Sequence, residues 1–226
     1  MRALESALVG LALLIAIAGG AVAVLMTPWF TSALVTWLDV PRTAAMSPAQ
    51  TLELAEEVRA FVAHRDAPAL PETVDGRAAF DAAAVSHLVD VRKVIRGIWV
   101  SAIVAAGMLI VWLVVCLARR RWRPLAAGLR AGAFACVLLP LLVGVAGAAD
   151  FDSFFTAFHG VFFEPGTWTF PVGSLLIVLF PERFWASSGA ALGGTIVVGG
   201  LVLAVASAAV DRRFARAGRR SGTIST

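Results

Sequence analysis

The sequence predicts an all-α membrane protein with four transmembrane helices, both termini in the cytoplasm, two helical extracytoplasmic loops and a short re-entrant or interfacial segment. Three observations predict this class. Hydrophobic residues make up 59% of the chain and charged residues 15%, against about 45–50% and about 25% in soluble domains. Four apolar stretches reach the roughly 20 residues that a helix needs to cross a bilayer. Basic residues concentrate in the segments on one side of these stretches.

The predicted spans run from about 7 to 26, 97 to 118, 125 to 149 and 188 to 210. The first exceeds the apolar region of a secretory signal peptide, so we expect a retained helix. Pro140 lies inside the third span and predicts a kink. In the fourth span, the pairs Gly193-Gly194 and Gly199-Gly200 permit close helix packing. We expect residues 1–226 to form a single integral membrane domain.

The distribution of charge predicts the orientation. The segments placed inside, which are 1–6, 118–130 and 211–226, carry eleven basic and two acidic residues. The outer loops, at about 27–96 and 150–187, carry eight basic and thirteen acidic residues. An excess of Lys and Arg marks cytoplasmic segments. The basic run 119–123, the C-terminal basic cluster 212–220 and the pI of about 10.4 are explained in this way, and no nucleic-acid partner is expected.

The first outer loop is predicted to contain helices. Ser47 followed by Pro48, with Gln50 three residues after the serine, predicts a helix start, and an apolar stripe extends that helix to about His64. Residues 66–76 are rich in Pro and Gly and are interpreted as a loop. A second helix is predicted to begin near Asp81 and to run unbroken into the second span. Its apolar stripe places His87 on the face that packs.

The second outer loop carries an aromatic segment and a short apolar one. Read as a helix, residues 150–162 place phenylalanines on one side and Asp152, Thr156 and His159 on the other, which is typical of a helix in the membrane interface. Residues 174–180 are apolar but too few to span a bilayer. They are predicted to be re-entrant or interfacial.

Histidines are the best candidates for chemistry. The sequence contains no G-x-S-x-G, H-E-x-x-H or P-loop motif, and three histidines without a carboxylate cluster predict no metal site. His64 ends a polar helix and is interpreted as structural. His87 and His159 stand in apolar or aromatic surroundings at the outer membrane surface. Each could be a hydrogen-bonded structural residue, or the two could share general acid and general base roles, since imidazole titrates near neutrality.

Three segments carry a family resemblance. Residues 80–94 (FDAAAVSHLVDVRKV), 158–170 (FHGVFFEPGTWTF) and 175–185 (LLIVLFPERFW) resemble the bacterial lipoprotein intramolecular transacylase family, Lit. The four-span topology with two outer loops is also similar to that family. The string F-H-x-x-F-F followed by W-x-F is the most specific of the motifs. One departure is that residues 82–84 are all alanine, where the family pattern has acidic and basic residues, which puts substrate positioning in doubt.

The resemblance implies a multi-pass enzyme of the bacterial cell membrane with its active site on the extracytoplasmic side. It would move the sn-2 acyl chain of a diacylglyceryl-modified lipoprotein to the amine of the N-terminal cysteine, giving the lyso-form without a cofactor. Outer-leaflet lipids are expected partners. The resemblance implies that His87 and His159 are catalytic. Supporting roles are expected as follows: Asp90 orients His87, Arg92 holds a polar part of the substrate or the oxyanion, Trp168 shapes the lipid pocket, and Asp152 lies on the face of His159.

Two alternatives remain open from the sequence. One is a non-enzymatic membrane protein, such as a small transporter or a lipoprotein-pathway scaffold. The other is a phospholipid acyl hydrolase, which would position a water in place of an amine acceptor. The sequence does not indicate which histidine is the base, the natural lipoproteins, the acyl-chain preference or the oligomeric state.

Overall fold

The structure, a computed structural model, describes residues 2–222, with side chains from residue 3 to residue 213. The side chains of the C-terminal basic cluster beyond Arg213 therefore lie outside the described residues. The helices are α1 (Arg2–Leu25), α2 (Pro28–Trp37), α3 (Val40–Ala44), α4 (Pro48–Ala63), α5 (Ala82–Ala118), α6 (Trp122–Ala149), α7 (Phe151–Phe162), α8 (Leu175–Leu179) and α9 (Glu182–Gly222). Strands β1 (Thr73–Val74) and β2 (Arg77–Ala78) form one antiparallel hairpin.

Four helices are long and apolar enough to cross a membrane: α1, α5, α6 and α9. Large apolar side chains on them are exposed, such as Ile103 on α5 and Val145 on α6. A soluble protein would bury such a continuous apolar surface, whereas a bilayer covers it. The predicted all-α class with four membrane-spanning helices is confirmed.

The described chain forms two compact units. The first unit contains the residues up to Ala21, then Val100–Val143, and those from Gly193 onward. In its described part it is built from the spanning helices and the α5–α6 turn, and glycine lets α9 approach α1 and α6 closely. A Cβ atom added at Gly199 would lie 2.8 Å from Ile17 Cγ2, and one at Gly200 would lie 2.9 Å from Cys136 Cβ. Close packing at this glycine pair is confirmed.

The other glycine pair of α9 behaves differently. A Cβ atom added at Gly194 would meet nothing within 4 Å, and one at Gly193 would make an ordinary 3.7 Å contact with Pro140. The prediction of close helix packing is therefore wrong at Gly194. Pro140 itself lies inside α6 and does not end it.

The second unit contains Val22–Trp99 and Gly144–Leu192, which include both predicted outer loops. Helix α4 is confirmed, and the Ser47 side chain accepts a hydrogen bond from the Gln50 amide at 3.2 Å. Three elements were not predicted, namely α2, α3 and the hairpin. The hairpin overlaps the segment 66–76 that the sequence assigned to a loop, and its turn holds Asp75 and Gly76 at positive φ.

One buried cluster forms the core of the second unit. It joins α2, α4, α8 and the first turns of α5, and its members include Val35, Ala55, Val58, Leu88, Leu176 and Leu179. Arg59 is also buried, which the sequence did not indicate. Its Nε donates to Glu56 at 2.7 Å and its Nη1 donates to the Met26 carbonyl at 2.8 Å. A buried charge is tolerated only with such partners.

Helices α5 and α7 of this unit contain the two candidate histidines. Helix α5 runs unbroken for 37 residues, as predicted, and Asp81 Oδ1 accepts the Ala84 amide hydrogen at its start, at 2.7 Å. Its apolar part, from about residue 97, is the part long enough to span, so the first turns lie before the span. Helix α7 follows Asp150, whose carboxylate accepts the Ser153 amide hydrogen at 3.0 Å.

Candidate functional site

The structure brings His87 of α5 and His159 of α7 together. Their ring centroids lie 6.2 Å apart and the two rings are inclined by 28°. His87 is buried, with 8% of its surface exposed, and His159 is half-buried. The residues are 72 positions apart and belong to separate loops, so their contact is produced by tertiary packing within the second unit.

Aromatic side chains enclose the two histidines. The His87 ring lies 4.8 Å from Phe163 and 5.6 Å from Phe170, measured between centroids. The His159 ring lies 4.0 Å from Phe155 and 4.7 Å from Trp168. These rings displace water from the imidazoles, which strengthens electrostatic interactions at the pair.

The hydrogen bond of His159 defines its tautomer. Its Nδ1 lies 2.8 Å from the carbonyl oxygen of Phe155, one helical turn earlier. A carbonyl oxygen can only accept, so Nδ1 must carry the proton and donate it. In the neutral ring, Nε2 is then left with a lone pair that can accept a proton. This is the arrangement that a general base requires.

His87 has a different environment. Its Nδ1 is buried and has no hydrogen-bond partner among the described residues. Buried polar atoms of native proteins are nearly always paired, so an unpaired one calls for a partner from outside the chain, such as a substrate or water. The carboxylate of Asp90 is not that partner, since no hydrogen bond joins it to His87, and its Oδ1 accepts a hydrogen bond from Lys93 Nζ at 2.8 Å.

Both imidazoles are held in their neutral form. Burial lowers the pKa of His87, the nearby His159 lowers it further, and the negative charge of Asp90 raises it by less. Burial also lowers the pKa of His159, against a smaller opposite effect of its bond to Phe155. The two rings are close enough that a proton on one opposes a proton on the other. The pair therefore begins neutral at pH 7.

Arg92 is fixed in place with one nitrogen left over. Its Nε donates to the Phe61 carbonyl at 2.6 Å, and its guanidinium carbon lies 3.9 Å from the centroid of the Phe61 ring. Its Nη2 is buried and has no partner among the described residues. The side chain is thus a positioned cation with an unused donor. Phe61, which holds it, was not identified from the sequence, since it looks like any other apolar residue of the α4 stripe.

Trp168 also presents an unused donor. Its Nε1 is buried without a partner in the described chain, and its ring lies against His159 and 6.3 Å from Phe155. The two other buried side-chain atoms without a partner, Trp99 Nε1 and Ser188 Oγ, belong to the same unit. Sequence reasoning missed both, because their burial depends on tertiary packing and neither lies in a motif.

Two other residues considered from the sequence, Asp152 and His64, make none of these contacts with the histidine pair. Asp152 is exposed in the first turn of α7, two turns or about 10 Å along the helix axis from His159. His64 is exposed at the end of α4. Within the described residues, no three His, Cys, Asp or Glu side chains are grouped as metal ligands. What the histidine pair can do chemically is accept and return a proton in an aromatic enclosure.

Comparison with known proteins places this site in a family. The family model described as "Lipoprotein intramolecular transacylase Lit" matches residues 6–185. An uncharacterized protein of Aquifex aeolicus (strain VF5) is 29% identical over 111 residues, which are 49% of this chain and 48% of that protein. The chain thus spans about half the length of this curated relative.

Solved structures of the membrane integral lipoprotein intramolecular transacylase Lit from Bacillus cereus share the fold. One has a TM-score of 0.83 at 17% identity and covers 96% of this chain and 98% of its own. Two others, in which one histidine is replaced by arginine or by alanine, each have a TM-score of 0.78. The motifs of both outer loops lie inside the matched residues, and the chain therefore belongs to the Lit family of lipoprotein intramolecular transacylases.

Proposed function

We propose that this member of the Lit family transfers the sn-2 acyl chain of a diacylglyceryl-modified lipoprotein to the amine of its N-terminal cysteine, and that His87 and His159 move the protons. The observation that carries the proposal is the pair itself: two imidazoles whose ring centroids lie 6.2 Å apart, enclosed by aromatic rings, with Nδ1 of His159 bonded to the Phe155 carbonyl so that its Nε2 is the basic nitrogen. Donor ester and acceptor amine belong to one substrate, so correct positioning supplies a large effective molarity, on the order of 10⁵ M or more.

The proton steps balance within the pair. The amine nitrogen attacks the ester carbonyl carbon, and its proton moves to Nε2 of His159. His159 then passes this proton to His87 as His87 donates its own ring proton to the glycerol oxygen, and the bond from the ester carbon to that oxygen breaks. The pair gains one proton and gives one back, so both rings end neutral. Because a proton on one ring opposes a proton on the other, the pair carries a single transferred proton at a time.

Arg92 and Trp168 are proposed to hold the reacting ester. The tetrahedral intermediate places negative charge on the former carbonyl oxygen, and preorganised donors stabilise such charge. Arg92 Nη2 and Trp168 Nε1 are buried donors without partners in the described chain. The Phe61 carbonyl and ring fix the guanidinium before the substrate arrives. Asp90 is proposed to act on His87 through its charge, which opposes part of the lowering of the pKa.

The setting of the site is also a proposal. The sign of the loop charges favours the extracytoplasmic side of a bacterial cell membrane, where outer-leaflet lipids could enter beside α7. The exposed Phe158, Val161 and Phe162 of that helix suit the membrane interface. The chain is proposed to act as one domain, because α1, α5, α6 and α9 each contribute residues to both units.

The proposal is tested by mass spectrometry of lipoprotein N-termini in a bacterial host that lacks other N-acylating activity. Expression of the chain should convert diacylglyceryl termini to N-acyl, S-monoacylglyceryl cysteine. His87→Ala and His159→Ala should each reduce the conversion by about 10²-fold to 10⁴-fold, the usual contribution of a general acid or base. His64→Ala is the matched control and should leave it unchanged. Full conversion by either variant of the pair, at equal protein levels, would refute the assignment.

A further inference from the structure

A second site lies in the first unit, at the end of the bundle where α5 ends and α6 begins. A cavity of about 670 Å³ is lined there by residues of three helices, α1, α6 and α9, and by residues of the α5–α6 turn. Its charged lining residues are Arg120, Arg121, Arg123, Arg130, Glu5 and Asp211. Four guanidinium groups thus face two carboxylates. Its volume lies within the range of ligand sites, about 300–1,000 Å³.

The charged residues that line this cavity form ion pairs and carry a net positive charge. Arg121 Nη2 lies 3.0 Å from Glu5 Oε2, and Arg130 Nη1 lies 2.6 Å from Asp211 Oδ2. Glu5 also accepts a hydrogen bond from the indole of Trp112 at 3.2 Å. These bonds join α1 to the end of α5, and α6 to α9, so the walls are held by cross-links between helices. Four arginines against two acids give the lining residues a formal excess of two positive charges.

The place of the cavity in the chain indicates the source of an anion. Its charged lining residues flank the apolar stretches of α1, α6 and α9, and charged residues at the ends of a span are expected at the depth of lipid headgroups. Trp122 lines it, and tryptophan is enriched at that depth. Leu4 and Leu8 of α1 and Leu117 of α5 are exposed next to the charged residues in sequence. They offer an apolar surface on which acyl chains could lie below a bound headgroup.

We propose that this cavity binds the phosphate headgroup of an anionic phospholipid from the cytoplasmic leaflet, the side that the charge distribution favours for residues 118–130. Arginine suits a phosphate because its planar group can donate two parallel hydrogen bonds. Basic pockets among helices on the cytoplasmic side recognise anionic headgroups in the same way. A bound lipid would offset part of the excess charge and contact α1, α6 and α9 together.

The test uses the full-length protein in detergent and measures thermal unfolding. Dioleoylphosphatidylglycerol should raise the unfolding temperature in a saturable way, and dioleoylphosphatidylcholine at equal concentration should not. Each arginine near a headgroup is worth roughly fivefold in affinity, so Arg120→Gln with Arg123→Gln should weaken phosphatidylglycerol binding about 25-fold. The matched control is Arg119→Gln with Arg213→Gln. It removes the same charge from exposed residues outside the cavity and should change the affinity by less than twofold.

Several outcomes would overturn the proposal. Equal loss in both double variants would mean general attraction between a basic surface and an anionic lipid. Equal stabilisation by phosphatidylcholine would remove the role of charge, and equal stabilisation by inorganic phosphate would make the site one for a free anion. If the glutamine variant does not fold, Arg120→Lys with Arg123→Lys replaces it. That variant keeps the charge, loses paired hydrogen bonding and should bind at least threefold more weakly, and unchanged affinity would count against the site.

Discussion

Replacing Arg92 by lysine distinguishes the role of the hydrogen-bond donor at Nη2 from the role of the positive charge. The lysine keeps a positive charge but cannot both bond the Phe61 carbonyl, as Nε does at 2.6 Å, and present the second donor that Nη2 provides. A hydrogen bond to a charged group contributes about 1.5–3 kcal/mol. If Nη2 stabilises the oxyanion, kcat/KM should fall by about tenfold to 150-fold.

The assay is conversion of a diacylglyceryl lipopeptide by the purified protein, followed by mass spectrometry, together with a thermal melt of each variant. Phe61→Leu is the control, since it removes the ring under the guanidinium and keeps the carbonyl. It should lower stability by about 1 kcal/mol through lost packing and the lost cation–π contact, with kcat/KM within about threefold. The reasoning is refuted if Arg92→Lys keeps more than half of the wild-type kcat/KM, or if Phe61→Leu loses as much activity as Arg92→Lys.

Three further predictions concern the titration of the histidines, the Trp168 donor and the glycine contacts of α9. Burial lowers the pKa of both histidines, and the nearby His159 lowers that of His87 further, so the base should be lost only as the pH falls through values below 6.5. Imidazole NMR should show both rings mostly neutral at pH 6.5, and His159→Ala should raise the pKa of His87. Trp168→Phe removes the unpaired Nε1 donor and should raise KM or lower kcat by about twofold to tenfold; unchanged kinetics would exclude a bond to substrate. Gly200→Ala would place a Cβ atom 3.1 Å from the Ala133 carbonyl oxygen and should destabilise by about 1–3 kcal/mol, whereas Gly194→Ala should be neutral or stabilising in the same thermal melt.

Most of the architecture could be predicted from local sequence patterns. The spans follow from apolar length, and the start of α4 follows from Ser47 and Pro48, whose roles at a helix end depend on neighbours in sequence. The unbroken course of α5 also followed from its stripe. The hairpin could have been found, since Asp75-Gly76 is a strong hairpin signal. Helix α2 was not predicted as a separate helix because it begins three residues after α1 ends and has the same apolar composition.

The sequence supplied candidate residues for the site but not their contacts. The motifs identified His87 and His159, and the bond from His159 to Phe155 is a contact between positions four apart on one helix. The hydrogen bond from Arg92 to the Phe61 carbonyl joins α5 to α4, and the two residues are 31 positions apart in the chain. Hydrophobic periodicity along one helix contains no information on such pairs. Asp90 shows the converse, since its helical spacing from His87 is right and yet its carboxylate bonds Lys93.

Transfer within one substrate is tested most directly with a synthetic lipopeptide whose sn-2 acyl chain alone carries an isotope label. Purified protein in lipid vesicles should move the label to the cysteine amine and leave a monoacylglyceryl thioether, with no labelled free fatty acid. His87→Ala and His159→Ala should leave the label on the glycerol. Release of the label as free fatty acid would indicate a hydrolase, and a wild-type protein that leaves the label in place would contradict the proposed reaction.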